Sequence, residues 1–282
     1  MPASGLPALT AELAYDLTGH VALVTGANHG IGAATARALG GCGARVLITY
    51  LRIEDEPDPG IPEAYRRNRS AEARHVVDAI SSRGGEARAI EADLADHATP
   101  ARLFDLAEAE LGAVDILINN ATGWLADTFT VKDHDELGRS LVRVSAETVA
   151  QQFSVDASGS ALLISEFARR HAERGASWGR IIGLTSGGSN GFPGEVSYGA
   201  AKAALENYTM SAAFELSDLG ITANIVYPPV TDTGWVTDAV RELVRKRSEL
   251  INVATPEEVA RVIAYLVSDE GRLITGNIVR LR

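Results

Sequence analysis

A glycine-rich stretch between a short apolar run and an alanine-rich segment restricts the fold of this chain most strongly. Residues Val21–Thr25 are apolar over a length too short for a helix, and Gly-Ala-Asn-His-Gly-Ile-Gly follows at 26–32. Between a buried strand and a helix, such a loop lets backbone amides approach a pyrophosphate, whereas elsewhere it would indicate a mere turn. The pattern predicts a dinucleotide site, contacted by Gly26, Asn28, His29, Gly30, Ile31 and Gly32.

Short apolar runs alternate with helical segments along the rest of the chain. Further runs occupy residues 45–50, 87–94, 114–120, 180–186, 222–227 and 276–282. This alternation indicates right-handed βαβ crossovers and a parallel sheet, whose ligands bind beyond the carboxyl ends of the strands. We therefore predict an α/β fold, a Rossmann-type doubly wound sheet of about seven strands with helices on both faces. Residues 1–18 are expected to form an N-terminal extension, and residues 19–282 a single catalytic domain.

Two segments interrupt the alternation. Residues 53–69 are rich in Pro, Asp, Glu and Arg without an apolar period, which predicts an exposed loop that is mobile or covers the cofactor. Residues 124–143 are polar and aromatic, and we expect them to border a substrate pocket. Trp124 and Phe129 are either walls of that pocket or packing residues. One long helix is expected over residues 145–172.

Composition and charge limit the classes of partner. The chain has 282 residues, 46% of them apolar, and a net charge of −11, which argues against nucleic-acid and anionic membrane surfaces. A single cysteine, Cys42, excludes an internal disulfide and a cysteine-rich metal site. No apolar run approaches the roughly 18 residues of a membrane helix, and the first residues lack the pattern of a signal peptide. We expect a cytoplasmic enzyme without a metal.

Ser186, Tyr198 and Lys202 are the candidate catalytic residues. Tyr198 and Lys202 are four residues apart and would share one face of a helix. An ammonium group beside a phenol favours the phenolate, so we expect the pKa of Tyr198 to fall below its usual value of about 10. Such a tyrosine exchanges a proton with a carbonyl oxygen near neutral pH, and the serine hydroxyl can hold the same oxygen. By itself the tyrosine–lysine pair is also common on half-exposed helices.

The end of the apolar run at residues 45–50 bears on the choice of nucleotide. An NAD enzyme usually places Asp or Glu there to accept the ribose 2′-hydroxyl, whereas a 2′-phosphate prefers a basic side chain. Here the run ends in Tyr50, Leu51 and Arg52, and no acid follows before Glu54. Arg52, with His29 as a second contact, favours NADP(H) over NAD(H), although Arg52 could equally be a solvated surface residue.

In this order, the motifs resemble those of the short-chain dehydrogenase/reductase family, in the manner of 3-oxoacyl-thioester reductases. The resemblance covers residues 20–281 and adds Asn119-Asn-Ala, and Pro228-Pro229 before Thr233. It implies hydride transfer between NAD(P)(H) and a small carbonyl or alcohol substrate, by a homodimer or homotetramer. Tyr198 would be the general acid or base, Ser186 would orient the carbonyl, and Lys202 would lower the pKa of Tyr198 and hold the nicotinamide ribose. Further implied cofactor contacts are Asp93, Leu94, Asn119, Asn120, Ala121, Pro228, Thr231 and Thr233.

Four features depart from the usual pattern of that family. Asp156 replaces an asparagine of the proton relay to the lysine, and we expect the relay to work with aspartate. Thr122 and Pro229 replace glycines, and the usual Asp-Gly-Gly ending is absent. Two alternatives stay open: a lyase, epimerase or enoyl reductase on the same scaffold, and a non-catalytic nucleotide-binding regulator.

Overall fold

A parallel sheet forms the centre of the structure, a computed structural model that describes residues 15–187, 191–247 and 252–282. Seven strands pair in the order β3-β2-β1-β4-β7-β8-β9, all parallel, as the sequence predicted. The order reverses between β1 and β4, which is where doubly wound sheets open a crevice for ligands. In chain order the strands are β1 (Val21–Thr25), β2 (Arg45–Tyr50), β3 (Ala87–Glu91), β4 (Ile116–Asn119), β5 (Asp127–Thr128), β6 (Val142–Arg143), β7 (Gly179–Leu184), β8 (Ile221–Tyr227) and β9 (Ile278–Arg280).

Helices cover both faces of the sheet. Because side chains alternate along a strand, Ala22 and Val24 of β1 enter one hydrophobic core and Val21 and Leu23 enter the other. The first core is closed by α1, α3 and α9, the second by α4, α6 and α7. The helices are α1 (Gly30–Gly41), α2 (Glu63–Ser70), α3 (Arg74–Ser81), α4 (Thr99–Glu110), α5 (Ala146–Gln152), α6 (Ser160–Glu173), α7 (Val196–Glu215), α8 (Asp238–Lys246) and α9 (Pro256–Val267).

The segment at residues 53–69, expected to be an exposed loop, contains most of α2. Hydrogen bonds to distant parts of the chain hold this segment and the residues that follow it. The side-chain amide of Asn28 donates to the carbonyl oxygen of Ala71 over 2.9 Å, and that of Asn68 donates to the carbonyl oxygen of Thr233 over 3.2 Å. The carboxylate of Asp58 accepts from the amide of Ser140 at 3.0 Å. These polar contacts, rather than an apolar period, hold the segment. Residues 53–62 form a loop as expected, whereas the helix over residues 63–69 was not predicted.

The long helix expected over residues 145–172 is divided into three parts. A π-helical stretch, Phe153–Gly159, separates α5 from α6. Asp156 lies inside this stretch and is fully buried. A π-helical turn changes the direction of the side chains that follow it and is common at functional sites. The apolar periodicity of the sequence does not show this interruption, because α5 and α6 both bury residues beside the π-helical stretch.

The part of the N-terminal extension that the structure describes packs against the sheet. The amide of Leu17 donates to the carbonyl oxygen of Cys42 over 2.7 Å, and its side chain is 1% exposed. Residues 1–14 of the predicted extension lie outside the described residues. Within the described part of the chain, no helix combines the length and the apolar character needed to cross a bilayer.

Replacement of Phe167 by alanine should destabilise the second core. The ring is fully buried in α6 and contacts the ring of Phe104 edge to face, with 6.4 Å between centroids. We expect a loss of about 3–5 kcal/mol in the free energy of unfolding, measured by denaturant titration. Phe129→Ala is the matched control, because that ring is 80% exposed and should change stability by less than about 0.5 kcal/mol. Equal losses in the two variants would contradict this assignment of the core.

Candidate active site

A cleft of about 1140 Å³ opens at the carboxyl ends of the strands. It lies where the sheet order reverses, between the ends of β1 and β4, as the fold prediction required. Most residues that the sequence singled out face it. They are Gly26, Asn28, His29, Gly30, Ile31, Asp93, Leu94, Asn120, Ala121, Ser186, Tyr198, Lys202, Pro228, Thr231 and Thr233.

The glycine loop forms a close-fitting turn against the end of β4. Gly26 has a φ of +61°, and a Cβ atom there would lie 2.8 Å from the Cα atom of Ala121. Gly32 faces the same turn, since its Cβ would lie 2.4 Å from the carbonyl oxygen of Gly26. The side-chain amide of Asn120 closes the turn by donating to the carbonyl oxygens of Thr25 and Gly26 over 2.8 and 2.9 Å. The loop thus leaves the start of α1 open to the cleft, and these residues fit a dinucleotide.

His29 precedes α1 and lies beside the predicted phosphate site. Its Nδ1 atom is 3.0 Å from the side-chain oxygen of Asn28. Burial lowers the pKa of His29 to about 4, helped by the charges of Arg69 and His75. The imidazole is therefore neutral at pH 7, so in the free protein it offers hydrogen bonds rather than a positive charge.

Arg52 does not face the cleft. Its guanidinium group pairs with Glu91 at 2.8 Å and with Glu72 at 3.7 Å, and its side chain is 48% exposed. The expected role as a phosphate ligand is therefore corrected to a surface ion pair. Asn119 is also absent from the cleft lining: it is 1% exposed, and its amide donates to the carbonyl oxygen of Ser160 at 3.4 Å.

The cleft brings Ser186 and Tyr198 together. Ser186 follows β7, and Tyr198 lies in the first turn of α7. Burial raises the pKa of Tyr198 well above its usual value, and the negative charges of Asp156 and Glu195 raise it further. The hydrogen bond from the Ser186 hydroxyl acts in the opposite direction but does not outweigh them. The expected fall in the Tyr198 pKa is therefore wrong for this structure.

Lys202 and Asp156 form a buried ion pair behind the tyrosine. The lysine Nζ atom is 2.9 Å from the Asp156 Oδ1 atom and donates to the carbonyl oxygen of Leu184, also over 2.9 Å. Because the negative charge of Asp156 offsets the field of the ammonium group, Lys202 does little to stabilise the Tyr198 phenolate. Asp156 itself does not line the cleft and acts from behind Lys202.

Two departures from the family pattern contact each other at this ion pair. The hydroxyl of Thr122 donates to the Asp156 Oδ2 atom over 3.1 Å, and the amide of Gly123 donates to the same atom over 2.8 Å. A glycine at position 122 would lack the first of these bonds. Thr122 and Asp156 therefore form one structural unit rather than two independent changes.

Residues that the sequence analysis did not assign also line the cleft, among them Tyr65, Arg69, Arg139 and Glu195. Arg139 pairs with Glu195 at 2.5 Å and with Asp135 at 2.6 Å. Burial raises the pKa of Glu195, although Arg139 partly offsets this. The two aromatic candidates for the pocket wall have different positions. Trp124 lines the cleft and donates to Glu195 over 3.2 Å, whereas Phe129 faces solvent. For Tyr65 and Arg69, the available signal was the mixed charge of residues 53–69, but the sequence did not show that these side chains face the cleft.

Comparison with known proteins gives consistent matches over nearly the whole chain. A family model described as enoyl-(acyl carrier protein) reductase matches residues 64–281. The uncharacterized oxidoreductase YjdA of Bacillus subtilis is 32% identical over 92% of this chain and 94% of its own. Versicolorin reductase stcU of Emericella nidulans is 32% identical over 94% of this chain and 95% of its own.

A solved structure shares the fold described above. The angucycline C-6 ketoreductase LanV with bound NADP superimposes with a TM-score of 0.75 at 28% identity, covering 94% of this chain and 95% of that one. Fold, motif order and sequence identity agree, and the resemblance noted in the sequence is confirmed. The chain is an oxidoreductase that belongs to the short-chain dehydrogenase/reductase family.

Proposed function

We propose that this protein is an NADPH-dependent ketoreductase that reduces a carbonyl group of a small molecule or oxidises the corresponding secondary alcohol. The observation that carries the proposal is the convergence of Ser186, Tyr198 and Lys202 on a cleft that also contains a dinucleotide-fitting glycine loop. Relatives with the same architecture are named as reductases, and LanV was solved with NADP. The expected homodimer or homotetramer stays a prediction.

The cofactor would lie along the part of the cleft that begins at the glycine loop. The start of α1 would bind the pyrophosphate through Gly30 and Ile31. When bound, the nicotinamide supplies or accepts the hydride at the substrate carbon. The other residues that we assign to this site are Asn28, His29, Asp93, Leu94, Asn120, Ala121, Pro228, Thr231 and Thr233.

Tyr198 and Ser186 would act on the substrate oxygen. The Ser186 hydroxyl donates a hydrogen bond to the carbonyl oxygen and fixes its position. As that oxygen gains negative charge, Tyr198 transfers its phenolic proton to it. The raised pKa keeps Tyr198 protonated at neutral pH, which suits a general acid in the reductive direction.

Asp156 and Lys202 would hold the proton-transfer site in place. Lys202 lies over the Tyr198 ring, with 5.6 Å from Nζ to the ring centroid, and Asp156 holds the ammonium group from behind. We assign Lys202 to the nicotinamide ribose and Asp156 to a positioning role in the proton relay. Asp156 takes the place of the neutral asparagine that the family usually carries there.

NADP is favoured over NAD by the residues that face the cleft after β2. These residues are Tyr50, Leu51 and Ile53, so among the described residues no carboxylate at the end of β2 reaches the ribose hydroxyls. An NAD site usually has one at this point. His29 lines the same cleft, and its neutral imidazole would offer a hydrogen bond to a 2′-phosphate.

The choice of nucleotide is tested by titrating the protein separately with NADPH and NADH while following nicotinamide fluorescence. NADPH should bind about tenfold more tightly or better. Arg52→Ala should change either affinity by less than about twofold, because Arg52 pairs with Glu91 outside the cleft. Preference for NADH would reject the NADP assignment, and binding of neither nucleotide would reject the proposed NADPH-dependent ketoreductase activity.

Tyr198→Phe separates an enzyme from a nucleotide-binding regulator. The change removes the proton donor but keeps the ring, so kcat for ketone reduction should fall by about 10²–10⁴-fold while NADPH affinity is retained. Tyr208→Phe makes the same chemical change on the exposed side of α7, where the ring is 46% exposed, and should leave kcat unchanged. Equal rates in the Tyr198 variant and the wild type would contradict the proposed role.

Asp156→Asn tests the charge behind the tyrosine. Asparagine can still accept from Thr122 and Gly123, but the negative charge that raises the Tyr198 pKa is lost. Alcohol oxidation needs the phenolate, which forms above the pKa, so the acidic limb of its pH–rate profile should move to lower pH. The alkaline limb of ketone reduction should move in the same direction. Profiles that superimpose on the wild type would contradict the electrostatic role of Asp156.

Asp156→Ala tests the relay itself. This variant removes both the charge and the acceptor, so activity should fall at least tenfold while NADPH binding is retained. Fluorescence titration of the same preparation provides the control for cofactor binding. An unchanged rate would remove Asp156 from the relay.

A further inference from the structure

Tyr65 is a second phenol in the active-site cleft, and it comes from α2 rather than from the elements that carry the catalytic residues. Its ring meets the ring of His29 edge to face at 6.0 Å, and the guanidinium carbon of Arg69 lies 5.8 Å from its centroid. The ring is therefore held between the glycine loop and the end of α2. Its position lies along the cleft that also contains Ser186 and Tyr198.

The Tyr65 hydroxyl has no hydrogen-bond partner among the residues that the structure describes, although the ring is held on several sides. A half-buried phenol usually finds a partner, and the cleft is where this one would find it. Tyr65 and Tyr198 are close enough that the charge state of one affects the other, and Glu195 acts on both. The guanidinium carbon of Arg69 also lies 5.9 Å from the Trp124 ring, and Trp124 donates to Glu195 at the start of the helix that carries Tyr198, so Tyr65 borders the same part of the cleft as Tyr198.

The chemistry around Tyr65 favours an uncharged partner. Burial raises the pKa of Tyr65, so the hydroxyl remains a hydrogen-bond donor through the physiological range. Arg69 is paired with Asp55 at 2.9 Å, and Arg139 is paired with both Asp135 and Glu195. Because both of these arginines are already neutralised, a substrate carboxylate or phosphate at this point would meet acidic neighbours without a compensating cation.

We propose that Tyr65 binds a second, uncharged oxygen of the substrate, a carbonyl or hydroxyl group adjacent to the carbonyl held by Ser186 and Tyr198. The inference rests on the proposed function and narrows it to neutral ketones with a neighbouring oxygen. Tyr65 would then determine specificity, and it would be supplied by the segment at residues 53–69 rather than by the common catalytic core.

A matched pair of ketones tests this assignment. Benzil carries two adjacent carbonyl groups, and deoxybenzoin has the same skeleton with one of them replaced by a methylene group. Tyr65→Phe keeps the ring contacts with His29 and Arg69 and removes only the hydroxyl. We expect kcat/KM of the variant relative to wild type to fall roughly tenfold for benzil and less than about twofold for deoxybenzoin.

Comparing each variant with wild type on the same ketone cancels the intrinsic difference in reactivity between the two ketones. Tyr208→Phe is the control variant and should change neither ratio. Equal losses for both ketones, or no loss for benzil, would overturn the proposal. So would a weakened NADPH affinity that accounts for the loss, since it would assign Tyr65 to the cofactor.

The charge requirement is tested on the wild type without any variant. Methyl benzoylformate and benzoylformate differ in the charge of the group next to the ketone. The neutral ester should be reduced with a kcat/KM at least tenfold higher, and preference for the carboxylate would overturn the proposal. Absence of turnover of every ketone with NADPH would instead contradict the proposed function, and the inference with it.

Discussion

The buried ion pair between Asp156 and Lys202 is the interaction on which the site depends. It joins the π-helical stretch to α7, while the carbonyl of Leu184 ties the lysine to the end of β7. Loss of one partner from a buried pair leaves an uncompensated charge, at a cost of about 3–5 kcal/mol. Thr122 and Gly123 anchor the carboxylate from the loop after β4. Four separate parts of the chain are therefore positioned by one electrostatic contact.

The same pair explains why the sequence could bring out the candidate catalytic residues but not the pKa of Tyr198. Tyr198 and Lys202 are recognisable because their spacing is local, and the helix that carries them is found where expected. The pKa of Tyr198 depends instead on burial and on Asp156, which lies more than 40 residues away in the chain. A spacing rule cannot show that the lysine charge is already neutralised.

The fold was predictable for a similar reason, and the covering segments were not. The strands and the glycine loop have local apolar and glycine patterns, so their order and the α/β class followed from the sequence. The segment that contains α2 has no apolar period, and it is held by hydrogen bonds with Asn28, Thr233 and Ser140, which come from three distant parts of the chain. The sequence did not reveal the ion pair of Arg52 for the same reason, because its partner Glu91 lies on the neighbouring strand.

In the proposed function, the reaction and the choice of substrate have different structural origins. The proposed proton-transfer residues belong to the sheet and its long helices, whereas the covering surface comes from two segments that meet each other. Asp58 accepts from the amide of Ser140, and a Cβ on Gly60 would lie 2.3 Å from the amide nitrogen of Arg139, so their backbones are in direct contact. A change of substrate can then arise in these segments without disturbing the buried pair behind Tyr198, since neither segment supplies one of its partners.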